Sequence, residues 1–393
     1  MPSISCAGQE IDKEKPGADE INLPIIAPRR KLAAHSPLLG RQKHFARSET
    51  RTHDFDLPLT KEQIRKEQRD CHFCQLAKFS TYERYPITIC NDVDDSTLPS
   101  DFSFIERSIL CDGVRAAEEA FRTGCECQED QDCERIGCHC LQDMDIPEQS
   151  PGPRTKIHAY RSRGSNRDCL RQHLLDSREP IYECHDKCQC SSECRNRVVE
   201  RGRRVPLEIF RTFDGRGWGK LKRLVTYPNE GADNKGVRST VDIVKGQYVD
   251  KYVGEIITAE EAQRRREESD VAERKDVYLF ALDKFSDPNS MDPRLSGPPY
   301  EVDGEFKSGP TRYINHSCDP NLRSFARVGD HADKHIHDLA LFAIDDIAAG
   351  EELTFDYVDG MDTDPVEDAK DSGKREEMTK CLCGSENCRG FLW

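Results

Sequence analysis

The stretch RYINHSCDPN, residues Arg312 to Asn321, places histidine, serine and cysteine next to an Asp-Pro turn signal. Cys318 in this stretch allows three interpretations: a nucleophile activated by the neighbouring His316, a metal ligand whose partners lie elsewhere, or a buried thiol. The other cysteines decide among them, because a closed zinc site needs four ligands.

The chain has 393 residues and 19 cysteines, long enough for a sizeable core that needs no disulfides. It begins without a basic segment followed by an apolar run. Nowhere does it show the roughly 18 consecutive apolar residues that a membrane span needs. We therefore expect a soluble protein with no membrane partner, whose cysteines are reduced and available to zinc.

Nine cysteines fall into two clusters with the spacings C-x-C-x5-C-x4-C-x-C and C-x3-C-x-C-x3-C. When three of nine thiolates each bridge two ions, six terminal and six bridging positions fill three tetrahedral sites. The pattern predicts such a three-zinc cluster, a structural anchor with no open coordination position. Two separate four-cysteine sites with a spare thiol, as in a RING-like module, are the alternative. The nine are Cys125, Cys127, Cys133, Cys138, Cys140, Cys184, Cys188, Cys190 and Cys194.

A further cluster lies near the last residue. The stretch CLCGSENC supplies Cys381, Cys383 and Cys388, one ligand short of a tetrahedral zinc site. Cys318 is the natural candidate for the fourth ligand. Zinc would then tie this end of the chain to the opening stretch.

The formal net charge is −15, so the chain as a whole suits a basic partner better than nucleic acid. One segment, PRRKLAAHSPLLGRQKHFARSETR, runs against this trend with seven Lys and Arg against one acid. It fits contacts with DNA phosphates, a nuclear import signal or a solvated tail.

Composition divides the chain into successive segments. Residues 1–68 lack a sustained apolar period and are predicted to be a disordered tail, before an N-terminal wrapping segment over 69–117 and the cysteine-rich segment 118–202. From 203 to 358, short β-branched and aromatic runs predict a mostly-β domain. One helix interrupts it at TAEEAQRRREESDVAERK, where Thr258 and Glu261 suit a capping box. Residues 359–376 are predicted to be an acidic linker, and residues 377–393 contain the last cysteines.

In order, the nine-cysteine pattern, RGWG, YVGEI, RYINHSCDPN, ELTFDYV and CLCGSENCRGFLW resemble the pre-SET, SET and post-SET modules of the methyltransferases that act on lysine 9 of histone H3. The resemblance covers residues 70–393. It implies a mostly-β SET fold, a β-clip of small sheets with a pseudoknot, between a zinc-cluster pre-SET domain and a small zinc-binding post-SET segment. It also implies S-adenosylmethionine as cofactor and the histone H3 tail, chromatin and unidentified heterochromatin recruitment factors as partners. The expected location is the nucleus, on heterochromatin.

The same resemblance assigns roles by position. Tyr357 is the expected catalytic tyrosine, Tyr252 lines the lysine channel with it, and Phe355 stands where phenylalanine accompanies trimethylation. The histone peptide would add as a strand beside VYLFALD and contact Leu279, Asp283 and Trp393. The residues expected to hold the cofactor are Arg216, Gly217, Trp218, Gly219, Tyr278, Arg312, Asn315 and His316.

Methyl transfer from a sulfonium to an amine needs no metal and no covalent enzyme intermediate, so Cys318 is interpreted as a zinc ligand and not as a nucleophile. The reaction does need a neutral lysine, whose free pKa is about 10.4. Desolvation in an aromatic channel and a nearby positive sulfur both lower that pKa.

Two other functions stay open. GRGWG, residues 215–219, also fits the glycine pattern of a Rossmann methyltransferase, although no repeated βαβ units follow it. A non-catalytic, zinc-bearing chromatin scaffold is the second. One departure bears on activity: KLKRLVTYPNEGADNKG, residues 220–236, follows RGWG as an atypical insert. Gly219-Lys220 can be encoded by GGT-AAG, which contains the usual first bases of an intron. The stretch is therefore either a real loop beside the cofactor or a retained intron.

Overall fold

The computed structural model describes residues 62, 66, 69–93, 97–130, 132–133, 138–141, 158–212, 235–268, 278–359 and 365–392. The tail predicted over 1–68 therefore lies outside the described residues, apart from positions 62 and 66. Residues 216–219, residues 220–234 of the expected insert and Trp393 also lie outside them.

Short strands dominate the described chain, as the β-branched and aromatic runs predict. The strands are β1 (Ile87–Cys90), β2 (Ser103–Phe104), β3 (Ile109–Leu110), β4 (Ile181–Tyr182), β5 (Leu207–Arg211), β6 (Lys235–Ser239), β7 (Tyr248–Tyr252), β8 (Glu255–Ile257), β9 (Leu279–Ala281), β10 (Glu301–Asp303), β11 (Lys307–Ser308), β12 (Asn315–His316), β13 (Leu322–Val328), β14 (Asp338–Ala343) and β15 (Glu352–Phe355). The helices are α1 (His72–Leu76), α2 (Gln172–Asp176), α3 (Ala259–Glu268), α4 (Pro293–Ser296), α5 (Pro365–Asp368) and α6 (Ser372–Glu377). Single 3-10 turns cover Glu119–Phe121, His139–Leu141, Pro310–Tyr313 and His331–Ile336.

The described strands form three small sheets. The largest has the order β1-β5-β6-β15-β13-β14-β7, with β12 paired to β15 and β4 paired to β13. The second has the order β3-β8-β10-β9, and β2 pairs with β11. Helices do not alternate with strands along the described chain, so the Rossmann interpretation is wrong.

The core of the large sheet is formed by alternate residues of its strands. Leu207 and Ile209 on β5 are each 1% exposed, and Val237, Leu322 and Leu353 on three neighbouring strands are fully buried. Phe355 at the end of β15 belongs to the same core. The core therefore fixes the strand end from which the candidate catalytic residues extend.

The cysteine-rich segment packs around its own thiols and joins the sheet through a buried arginine. The nine cysteines form a separate cluster, with Leu141 as the buried aliphatic residue in it. Arg327 on β13 donates to Glu183 at 3.0 Å, to Glu200 at 2.8 Å and to Asp338 at 3.1 Å. Because the Glu183 side chain is fully buried, Arg327 supplies a charge that Glu183 needs.

The predicted helix is present as α3. Glu261 N donates to Thr258 Oγ1 at 3.2 Å, which confirms the N-cap. The Glu261 carboxylate, which a capping box would turn back toward the N-cap, accepts from Arg264 instead. At ten residues α3 is the longest of the described helices, and none of these could cross a bilayer.

Two segments hold more regular structure than the sequence predicts. Lys235 and Gly236, the last residues of the expected insert, open β6 and pair with β5. The expected acidic linker contains α5 and most of α6, where Asp371 caps the helix by accepting from Gly373 N at 2.8 Å.

Replacing Arg327 tests the buried charge network. Arg327→Met leaves the buried Glu183 carboxylate without its cation, so we expect the free energy of unfolding to fall by about 3–5 kcal/mol. Urea denaturation of the zinc-loaded protein measures it. Arg264→Met, at a side chain that is 52% exposed, is the matched control and should change stability by about 0.5 kcal/mol or less. Equal effects of the two substitutions would show that the network contributes nothing.

Candidate active site and metal centres

The opening stretch meets a distant segment at the pairing of β12 with β15. The two strands are parallel, with Asn315 opposite Thr354 and His316 opposite Phe355. Two residues after Phe355, Tyr357 N donates to His316 Nδ1 at 3.1 Å. The pairing therefore places the Asn-His pair beside the Phe-Asp-Tyr run that follows β15.

Four aromatic rings pack together at this junction and form an aromatic enclosure around Phe280. The Phe280 ring centroid lies 4.7 Å from that of Tyr252, 5.7 Å from that of Phe355 and 6.0 Å from that of Tyr357. The rings of Phe355 and Tyr357 are 4.7 Å apart. The four rings together present an apolar aromatic surface against which a methylene chain could pack.

Both tyrosine hydroxyls in this enclosure donate to backbone carbonyls. Tyr252 donates to Tyr278 O at 3.0 Å, and Tyr357 donates to Ile314 O at 2.6 Å. Burial raises the pKa of both phenols, so they stay neutral at any working pH. Each oxygen keeps its lone pairs, with which it can accept a hydrogen bond from a bound amine.

Arg312 supports Tyr278 from within the protein. The side chain is buried, and its Nε donates to the carbonyls of Gly304 and Glu305, each at 3.1 Å. Its guanidinium carbon lies 4.3 Å from the Tyr278 ring centroid. Arg312 thus holds the tyrosine ring and the adjoining loop in place.

Asn315 is oriented by two acceptors. Its side-chain nitrogen donates to Lys235 O at 3.0 Å and to Glu352 Oε1 at 2.7 Å. Glu352 therefore turns the Asn315 amide oxygen toward the remaining side. The sequence analysis did not single out Glu352, because its role depends on pairing with a strand far away in the chain.

His316 is a buried residue whose ring lies between Tyr357 N and the Cys318 sulfur. Its Nδ1 accepts from Tyr357 N, so the proton is on Nε2, which lies 3.3 Å from Cys318 Sγ. Burial lowers the pKa of His316 to about 4. Although the ring nitrogens lie within 4.8 Å of three cysteine sulfurs, no lone pair is left to bind a metal. The geometry therefore favours a cysteine as the fourth ligand.

Cys318 lies close to Cys381 and Cys383, two of the three last cysteines with which it is predicted to share a zinc ion. Cys318 Sγ lies 3.7 Å from Cys381 Sγ, close to the edge of about 3.8 Å that zinc–sulfur bonds of 2.3 Å give a tetrahedron. Arg389 N, from the residue that follows Cys388, donates to Cys318 Sγ at 3.4 Å. Backbone donors to sulfur are what a metal-bound thiolate uses.

The nine remaining clustered cysteines form overlapping groups. Cys184 Sγ lies 3.7 Å from Cys133 Sγ, 3.9 Å from Cys138 Sγ and 4.0 Å from Cys125 Sγ, again near a tetrahedral edge. Cys125 and Cys184 each belong to three different groups of four mutually close sulfurs. Shared sulfurs suit bridged zinc ions better than two separate sites, since separate sites share none.

The segment expected to bind a peptide contains the edge strand β9, and it carries an aromatic residue, Phe280, that was not predicted from the sequence. β9 pairs with β10 on one side and ends the sheet order among the described strands. Leu279 is 8% exposed and packs with Ile257 and Ala262, whereas Asp283 is exposed. Because alternate residues of a strand face opposite sides, Phe280 and not Leu279 enters the aromatic enclosure. That alternation was the signal in the sequence from which Phe280 could have been found.

The fold is mostly β and follows a cysteine-rich segment in the chain. The aromatic rings lie next to His316 and Cys318, beside the last cysteines. Together these features define a SET-type protein. Two family models match the chain: the SET domain over residues 234–358 and the Pre-SET motif over residues 79–197.

Named relatives and a solved structure agree with this class. The H3 lysine-9-specific histone-lysine N-methyltransferase dim-5 of Neurospora crassa is 56% identical over 331 residues, which cover 84% of this chain and 94% of that protein. The H3 lysine-9-specific enzyme of Schizosaccharomyces pombe is 37% identical, over 80% of this chain and 57% of that protein. A solved structure of Neurospora DIM-5 matches 76% of this chain and 100% of its own with a TM-score of 0.61 and 54% identity. This chain belongs to the SET-domain histone-lysine N-methyltransferases.

A single methyl group at Gly304 should disturb the channel. A Cβ there would meet the Tyr252 hydroxyl and lie 2.8 Å from its ring carbon Cζ, so the ring must shift. We expect Gly304→Ala to lower the methyl transfer rate by about tenfold to a hundredfold. Steady-state kinetics measure it. Gly297→Ala, where the nearest atom is a carbonyl oxygen at 3.2 Å, should keep full activity. Full activity in both variants would show that the position of Tyr252 does not matter.

Proposed function

We propose that this chain transfers methyl groups from S-adenosylmethionine to lysine 9 of histone H3, up to the trimethyl state, in the heterochromatin of the nucleus. The aromatic channel formed by Tyr252, Phe280, Phe355 and Tyr357 is the observation that carries the proposal. The H3 lysine-9 specificity in the names of the relatives supports the choice of substrate.

The channel suits a lysine that must lose its charge before it reacts. The rings exclude water, and this favours the neutral amine over the ammonium. The oxygens of Tyr252 and Tyr357 accept from the amine and so aim its lone pair along the channel. The lysine proton leaves to solvent, and we assign no side chain as a general base.

The cofactor supplies an electrophilic methyl group on a positively charged sulfur. The surroundings fit a cation, because aromatic faces and the carbonyls of Ile314 and Tyr278 stand at this junction. Tyr278, Asn315 and His316 would hold it, with Arg312 acting through Tyr278. The assignment of residues 216–219 to the cofactor stays a prediction.

Phe355 is the residue proposed to permit trimethylation. Its ring contacts those of Phe280 and Tyr357 and carries no hydroxyl. A tyrosine at this position could hold a water molecule in the space that a further methyl group needs. Phenylalanine holds none, so the space stays available for the second and third methyl groups.

The histone tail would bind along the free edge of β9 as an added strand. The exposed Asp283 lies just past that strand and would meet a basic side chain of the tail. Leu279 would contribute its backbone, since its side chain is buried. Trp393 remains a predicted contact.

Four zinc ions are proposed: three on the nine clustered cysteines and one on Cys318, Cys381, Cys383 and Cys388. The overlap of the sulfur groups supports the first number, and the protonated Nε2 of His316 supports the all-cysteine set of the second. Both sites are structural, because every coordination position is filled by the chain.

Mass spectrometry of an H3 tail peptide incubated with the protein and S-adenosylmethionine tests the function. We expect up to three methyl groups on lysine 9 and none on a peptide with arginine in its place. Phe355→Tyr should retain the first transfer but stop at one or two methyl groups. Activity should rise with pH as the substrate lysine deprotonates, without a step from Tyr357, whose pKa burial raises. A wild-type protein that adds no methyl group at any pH would instead support the non-catalytic scaffold.

Cys318→Ser tests the second zinc site. The substitution removes one of four thiolates, so bound zinc should fall by about one equivalent and methyl transfer should be lost. Elemental analysis and the peptide assay measure the two effects. Cys90→Ser, at a half-buried cysteine outside the clusters described, is the control and should change neither. Undiminished zinc and activity in Cys318→Ser would remove Cys318 from the site.

A further inference from the structure

An arginine-rich loop in the pre-SET region has no part in the proposed methyl transfer. Residues 161–171 contain four arginines and one acid, although the whole chain has a formal net charge of −15. The loop is closed on itself: Arg161 N donates to Cys169 O at 2.8 Å, and Asp168 N donates to Arg161 O at 2.9 Å. These arginines therefore lie on a loop whose conformation is fixed by backbone hydrogen bonds.

Asp168 collects more cations than one carboxylate can neutralise. Its Oδ2 lies 2.8 Å from Arg204 Nη1 and 3.2 Å from Arg201 Nη2, and its Oδ1 lies 3.6 Å from Arg167 Nε. Its φ of 66° makes Asp168 the non-glycine residue with positive φ among those described. A positive φ is unfavourable for a residue other than glycine, but here this conformation directs the Asp168 carboxylate toward the arginines.

All of the arginines but Arg201, whose side chain is 10% exposed, remain accessible in spite of these pairs. The side chains of Arg167 and Arg204 are 56% and 40% exposed. Arg161 and Arg163 are exposed, and their side chains make no hydrogen bond or ion pair with the described residues. Since one arginine would satisfy Asp168, the others are in excess of what the loop needs for its own stability.

The tip of the loop projects into open space and is polar. A Cβ at Gly164, whose φ is +85°, would meet no heavy atom within 4 Å. Ser165 and Asn166 follow it and supply hydroxyl and amide groups, which together with arginine are common partners of phosphate oxygens. The apolar residues of the loop, Cys169 and Leu170, are buried.

We propose that residues 161–171, together with Arg204, form a surface that binds the phosphate backbone of double-stranded DNA. A guanidinium group can donate two hydrogen bonds to two oxygens of one phosphate, and each such contact releases counterions from the duplex. Because the loop exposes no apolar residue, it lacks the apolar centre of a protein–protein interface. This favours DNA over an acidic protein surface as the partner.

Binding of the whole chain to a duplex oligonucleotide, measured against salt concentration, tests the surface. We expect Arg163→Gln with Arg167→Gln to weaken binding about tenfold and to reduce the slope of log K against log salt by about 1.8, the value for two phosphate contacts. Arg115→Gln with Arg264→Gln removes the same charge at two other exposed arginines and should leave the slope unchanged. Equal slopes in the two double variants would overturn the assignment.

Methylation assays separate this surface from the active site. The expected effect on chromatin substrates rests on the proposed function: Arg163→Gln with Arg167→Gln should retain wild-type activity on an H3 peptide and lose activity on nucleosomes. If the wild-type protein fails on the peptide, the proposed function falls, whereas the salt-dependent DNA binding still stands or falls separately. A double variant that binds free DNA normally but nucleosomes weakly would place the contact on an acidic histone surface and overturn the DNA assignment.

Discussion

The pairing of β12 with β15 is the constraint on which the rest of the site depends. It joins two segments that lie far apart in the chain, and Tyr357, two residues beyond the last pair, adds a hydrogen bond from its N to His316 Nδ1. That bond decides which nitrogen of His316 carries the proton. The same junction therefore places Tyr357, the proposed catalytic tyrosine, beside His316 and directs the Nε2 proton of His316 at Cys318. Any change in register would separate all three.

Around that junction the protein uses two different kinds of core. The SET sheets bury aliphatic side chains such as Leu207 and Leu353, whereas the pre-SET segment buries thiols. A segment with so few large apolar residues gains little from hydrophobic burial, so metal binding must supply stability that a hydrophobic core would otherwise give. Arg327 couples the two parts, because its partners come from both.

Much of the fold could be predicted, because the local signals agree with the tertiary structure. The β-branched and aromatic runs became strands, and Thr258 caps the predicted helix. The site was harder. Tyr252 and Tyr357 were identified by resemblance, but Phe280, the neighbour of the predicted peptide contact Leu279, was missed. A strand places these neighbours on opposite faces, and only the packing of β9 shows which face is the channel.

Residue types and spacings by themselves determined the zinc chemistry, the β-rich class and the identity of the aromatic side chains, because these depend on local composition and on ligand counting. The tertiary structure decided which groups share a sulfur, why His316 cannot be a ligand, and how Glu352 and Arg312 orient Asn315 and Tyr278. These facts depend on distances between segments that are remote in sequence. Such distances are set by sheet register and packing, which no local pattern contains.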